Sequence, residues 1–164
     1  MTPNRPGEGC GGDWAIRTCG VARGAGRHLA EETEKSRDVV ETAFRFVESI
    51  NRQEVEKLTD MMTEDHRFVD LSGEEHVGRA LMRKGWLDCF GLCSDYVIHV
   101  CQFHQQRNRV CLVGRTTGSH LNLPWREEFQ DTAIWIADVE GERVSPWGIV
   151  ADTEETRKAY GVPI

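Results

Sequence analysis

The chain reads as an α+β domain, with a long N-terminal helix and two further helices preceding an antiparallel meander that curves around the first of them. Two observations carry this. Apolar residues between positions 40 and 62 recur at three- and four-residue steps, the spacing of helices with one buried face. From Tyr96 onward, four extended stretches are separated by turn-like clusters, with no helix between them that could serve as a crossover. Helices first and strands afterwards belong to α+β architecture rather than to a parallel sheet built from alternating units.

Val40, Ala43, Phe44, Val47 and Ile50 form the stripe of the first helix, for which Ser36 is a plausible N-cap, Glu31 to Lys35 a possible backward extension, and Asn51 the break. Val55, Leu58, Met61 and Met62 repeat the spacing, with Glu54, Glu56, Lys57 and Asp60 on the opposite side. A strand follows. In it His66, Phe68 and Asp70 share one side, Arg67 and Val69 the other, and Leu71-Ser72-Gly73 closes it. Leu81, Trp86 and Phe90 mark a third helix between Val77 and Phe90, packed on the mouth of the sheet. The meander is read as Tyr96 to Phe103, Val110 to Thr117, Glu127 to Ile136 and Arg143 to Val150, with a short terminal helix ending near Tyr160-Gly161.

The 164 residues suit one domain with one core. Seven of the 16 glycines and four arginines fall in the first 28 residues, where apolar periodicity is missing. Residues 1–30 are therefore expected to be a flexible Gly/Arg-rich tail, and residues 36–164 the folded unit. A net charge of -7 and a pI near 5.4 argue against nucleic-acid partners, which need clustered Lys and Arg, and against anionic membranes. No apolar run reaches the length of a membrane span, and the expected location is the cytoplasm.

The six cysteines are expected as free thiols. Cys89 and Cys93 have a helical spacing that could suit a metal, but no second pair of ligands completes a tetrahedral site, so packing is the better reading and no metal is expected. Serine-hydrolase elbows, P-loops, dinucleotide glycine patterns and HExxH are all missing. A cofactor-free pocket for a hydrophobic small molecule is the economical hypothesis.

The run from Arg45 to Asp70 resembles the opening of nuclear-transport-factor-2-like domains, the cone-shaped fold of ketosteroid isomerases, SnoaL-like polyketide cyclases and limonene-epoxide hydrolases. The stretch from Gly114 to Asp152 is similar to the strand meander of SnoaL-like proteins. Set against the ketosteroid isomerases, Asp70 falls on the catalytic base. Phe46 falls where those enzymes carry a tyrosine, and it has no proton to donate to a developing enolate.

The resemblance implies Asp70 as general base and, from the alternation Phe129, Asp131, Ala133, Trp135, a second pocket acid in Asp131. Apolar walls would raise the pKa of either. The bland alternative has Asp70 capping a turn and Asp131 facing solvent or pairing with Arg115. Phe46, Phe68, His66, His104, Trp135 and Trp147 are candidate ligand-binding residues, the last four as sources of a replacement N–H donor. His76 and His120 are expected in solvent. Three functions stay open: an isomerase, cyclase, hydrolase or dehydratase acting on a ketone, polyketide or epoxide; a lipophilic-ligand-binding protein; and an interaction module. The fold also implies a homodimer.

Overall fold

The computed structural model describes residues 23–119, 124–128 and 130–164. Helix α1 (Arg23–Asn51) is followed by α2 (Val55–Asp60), the hairpin β1 (Arg67–Val69) and β2 (Glu75–Val77), and α3 (Arg79–Leu92). Then come β3 (Val97–Gln106), β4 (Arg109–Thr117), the short α4 (Trp125–Glu128), β5 (Ala133–Glu140), β6 (Arg143–Ala151) and α5 (Glu154–Tyr160). The strands form one six-stranded sheet in the order β2-β1-β6-β5-β4-β3. The architecture is α+β as expected, with one amendment: β1 lies parallel to β6 while every other pair is antiparallel. The meander returns to the first hairpin only through its last strand, and it arrives running the same way.

Helix α1 is longer than its apolar stripe. It extends back to Arg23, so Ser36 does not cap it; the Ser36 hydroxyl donates instead to Gln105 Oε1 at 2.8 Å. The residues around Ala30 and Glu31 to Lys35 are good helix formers, and nothing there stops the helix. The part of the expected tail from position 23 to 30 is thus helical, and the rest lies outside the described residues.

The buried face of α1 is carried by Val39, Ala43, Phe46, Val47 and Ile50, with Val40 and Phe44 at its margin. Asn51 ends the helix and also fastens β3: its side-chain amide donates to the Ile98 carbonyl at 2.9 Å, and its oxygen accepts from the Ile98 amide at 2.8 Å.

Strand alternation then sorts the core. Val110 and Leu112 on β4, Trp135, Ala137 and Val139 on β5, and Val144 and Trp147 on β6 join the α1 face. The intervening Cys111, Val113, Ile134 and Ile136 point to the other side, where Val162 and Tyr160 of the chain's own C-terminus cover them. Both faces of β4 and β5 are therefore covered within one chain, while Val77 of β2 and Phe103 of β3 are exposed. Gly114 is required where β3 bulges between Val100 and Gln102, since a Cβ there would sit 2.1 Å from the His99 carbonyl oxygen.

One strand was misread. The segment read as extended from Glu127 to Ile136 contains the end of α4 and a turn, and the strand starts only at Ala133. Glu128 causes the break: its buried carboxylate accepts from the amides of Gly118 at 3.0 Å and Ser119 at 2.8 Å, which folds the segment back onto the end of β4.

Candidate functional site

Helix α3 lies across the open end of the curved sheet and leaves a cavity of about 660 Å³ beneath it. Its wall draws on Phe68 of β1, the following turn, His76 of β2, α3 from Leu81 to Cys89, Cys93, Tyr96 and Ile149 of β6. Exposed Leu71, Ser72, Lys84 and Asp88 form the rim, and buried Met82, Trp86 and Cys93 the floor. A cleft of about 740 Å³ at the other end of the sheet, between Arg67 and Arg109, is an open polar groove whose Arg109–Asp138 pair satisfies itself.

Asp70 is at the cavity edge, but not in the apolar setting expected for it. It follows β1 and caps the β1–β2 turn: Oδ1 accepts from the Ser72 hydroxyl at 2.6 Å, the Ser72 amide at 2.8 Å and the Glu74 amide at 3.0 Å. Oδ2 faces His76 Nε2 at 3.5 Å. The Ser72 hydroxyl, reinforced by the two amides and His76 against a weaker opposing effect of desolvation, holds the carboxyl below its ordinary pKa. The expected upward shift is thus reversed, because hydrogen bonds to the charged form outweigh the apolar wall on one side. Asp70, Glu74 and His76 bring their ligand atoms within 4.8 Å of one another, an arrangement that exposed acidic turns often show without any ion.

The structure separates most of the other candidates from this cavity. Phe68 lines it and stacks on its cross-strand partner His76, with ring centroids 6.0 Å apart. Phe46, Trp135, Trp147 and His66 are fully buried in the core. Phe46 packs between His66 and Trp147 at 5.9 and 5.0 Å. His66 Nδ1 donates to the Val144 carbonyl at 2.6 Å, which fixes its tautomer and leaves Nε2 buried without a partner. Asp131 is exposed in the turn before β5, so it is not a pocket acid; Phe129, with which it was expected to share a face, lies outside the described residues, as does His120. His104 stands on β3 near Arg157, Pro163 and Ile164, away from the cavity.

Three residues that the sequence reading passed over complete the site. His76 was assigned to solvent, yet it joins Phe68 and Asp70. Trp86 has a buried indole N–H with no acceptor. Tyr96 is half-buried; desolvation, then the neighbouring Cys89, Glu128 and Cys93, push its phenol well above the ordinary tyrosine range, so it stays protonated. The Trp135 indole donates to the Tyr96 oxygen. Tyr96 can therefore pass its own proton to an acceptor, while Trp135 supports the oxygen from behind. Both residues were visible as the apolar spots of a helix and a strand; only the docking of α3 onto the sheet shows that they meet.

A family model described as a SnoaL-like domain matches residues 43–147. No curated protein matches the chain. Among solved structures, a cystatin-fold protein from Novosphingobium aromaticivorans is 20% identical, covers 68% of this chain and 96% of its own, and superposes with a TM-score of 0.59. A candidate SnoaL-like polyketide cyclase from Shewanella putrefaciens is 10% identical, with 76% and 86% coverage and a TM-score of 0.58. A protein with a ketosteroid isomerase-like fold from Catenulispora acidiphila, in complex with trimethylamine, is 12% identical, with 75% and 94% coverage and a TM-score of 0.57. At these identities the likeness is one of fold.

Proposed function

Because this chain belongs to the SnoaL-like domain family, we propose that it is a cofactor-independent enzyme of the isomerase or cyclase kind, acting on a hydrophobic carbonyl compound held beneath α3. The observation that carries this reading is the pairing of an ionised carboxylate at the cavity edge with two donors in its wall, the buried Trp86 N–H and the O–H of half-buried Tyr96. The floor is apolar and asks for an apolar ligand body. Its donors ask for an acceptor oxygen, and Asp70, Asp88 and Glu128 nearby favour a neutral one. When Asp70 takes a proton from the carbon next to that carbonyl, negative charge builds on the oxygen, and donors already in place stabilise it without reorganising. They would do the work for which Phe46 has no hydroxyl.

The lowered pKa of Asp70 also narrows the substrate. A weak base needs an acidic C–H, and a carbon between two carbonyls, as in a poly-β-keto chain, is more acidic than one beside a single ketone. Among the chemistries left open by the sequence, this favours the polyketide over the simple ketone or the epoxide. His76 beside Oδ2 is placed to take the proton onward. Asp70→Asn is expected to lower turnover of a β-dicarbonyl substrate by about 10²–10⁴-fold with ligand affinity nearly unchanged; equal turnover in the variant would remove Asp70 from the mechanism.

The second reading, a lipophilic-ligand-binding protein, is favoured by one fact: Oδ1 of Asp70 is already occupied by the turn. Tryptophan quenching by a β-dicarbonyl without any product in wild-type protein would select it. Homodimerisation and a cytoplasmic location are further proposals, tested by sedimentation velocity at micromolar concentration and by cell fractionation; a monomer, or recovery outside the cytosol, would refute them. No helix among the described residues is long and apolar enough to cross a membrane.

A further inference from the structure

Cys89 and Cys93 place two free thiols side by side in the cavity wall. They lie one helical turn apart at the end of α3, where the Cys93 amide donates to the Cys89 carbonyl at 2.8 Å, so both side chains leave the same helix face. Burial first, and then the adjacent Cys93, push the Cys89 thiol above its ordinary pKa. That setting disfavours chemistry that starts from a free thiolate, including peroxide oxidation and disulfide exchange. Two sulfurs also fall short of the four ligands of a structural zinc site. What they suit is a soft, three-coordinate centre that needs only two protein ligands and brings an organic group for the apolar floor.

We propose that Cys89 and Cys93 form a two-sulfur subsite for organic compounds of trivalent arsenic, with the arsenic bridging the two Sγ atoms and its organic group lying against Trp86, Tyr96 and Ile149. In the reaction of R–As(OH)₂ with the two thiols, two As–S bonds form and two As–O bonds break. Each thiol proton departs with a hydroxide as water. Arsenic stays trivalent and no oxidant is consumed. Since the protons leave with the hydroxides, neutral thiols suffice. The subsite does not depend on the catalytic reading.

Reduced full-length protein treated with phenylarsine oxide is expected to gain one phenylarsenic group per chain in place of two thiol hydrogens, seen by intact mass. The adduct should withstand glutathione and be removed by 2,3-dimercaptopropanol. Cys89→Ser and Cys93→Ser should each weaken binding by about 10²–10⁴-fold, because the second As–S bond is intramolecular. C101S/C111S should leave it unchanged. A second readout needs no variant: in wild-type protein the arsenical should block alkylation of Cys89 and Cys93, mapped by peptide, while exposed Cys101 continues to react. A glutathione-resistant adduct that persists in C89S/C93S, or undiminished alkylation of Cys89 and Cys93, would overturn the proposal.

Discussion

His66 offers a test of the core that is independent of any substrate. It is fully buried, its Nδ1 proton is committed to the Val144 carbonyl at 2.6 Å, and its Nε2 is enclosed without a partner. Burial lowers its pKa below the ordinary histidine value, and the opposing contributions of the Val144 hydrogen bond and of Asp65 do not cancel that effect. The unfolded chain therefore binds a proton at this residue at a pH where the folded chain does not. Stability rises with pH wherever the unfolded state holds more protons, so the His66 contribution is intact above about pH 6.5 and is lost as pH falls toward the folded pKa.

For one proton the slope is about 1.4 kcal/mol per pH unit within that window. Urea unfolding of wild type and His66→Phe between about pH 7.5 and about pH 5, where histidine changes charge, measures it. The ring of phenylalanine fills a similar space beside Phe46, but leaves the Val144 carbonyl without its donor, which costs about 1–3 kcal/mol at neutral pH. The gap between the two proteins should then narrow by about 1.4 kcal/mol for each unit of acidification within the window, as wild type loses what the variant never had. A gap that stays constant down to about pH 5 would show that the buried imidazole does not resist protonation.

Two further expectations concern the cavity and the sheet. Tyr96→Phe should lower turnover of a β-dicarbonyl compound by about 10²–10³-fold, as expected for loss of one donor to a developing oxyanion; since the Trp135 indole also loses its acceptor, the urea midpoint should be measured in parallel, and wild-type turnover in the variant would reassign the donor role to Trp86. Gly114→Ala should destabilise the fold by about 1–3 kcal/mol, because its Cβ would meet backbone, the His99 carbonyl at 2.1 Å, rather than a movable side chain; an unchanged thermal midpoint would refute the close approach at the bulge.

Much of the architecture was legible in the chain because helices and strands each impose a period. The apolar stripe ending at Ile50 and the break at Asn51 correspond to α1 and its end, and the run that begins at Val55 to α2, which stops at Asp60 short of Met61 and Met62. Alternation also sorted the described part of β5, with Ala133 and Trp135 on one face and Ile134 and Ile136 on the other. It failed at Asp131 for a definite reason. Counting by twos across 127–136 assumes an unbroken strand, and one turn of helix held by Glu128 cancels the parity for every residue before Ala133. At the start of α1 the backward extension through Glu31 to Lys35 holds and the Ser36 cap does not, since Ser36 has the right chemistry for a cap but sits in a segment whose neighbours on both sides prefer helix.

The site was legible only in part. That Asp70 directly follows the first strand, with Phe68 two residues earlier lining the same cavity, is a local matter, and position along the chain decides it. Whether its carboxyl is a raised acid or a held carboxylate depends on the amides of Ser72 and Glu74 and on His76, which fold back on it through the β1–β2 turn. Local spacing thus determined the elements, their faces and the place of one acid. The tertiary structure alone decided the cavity, since Trp86 and Cys89 on α3, Tyr96 at the head of β3 and Ile149 on β6 become neighbours only when the helix docks across the sheet. Periodicity records which side of an element faces inward; it carries no information about which inward faces meet, because that is fixed by packing between segments far apart in the chain.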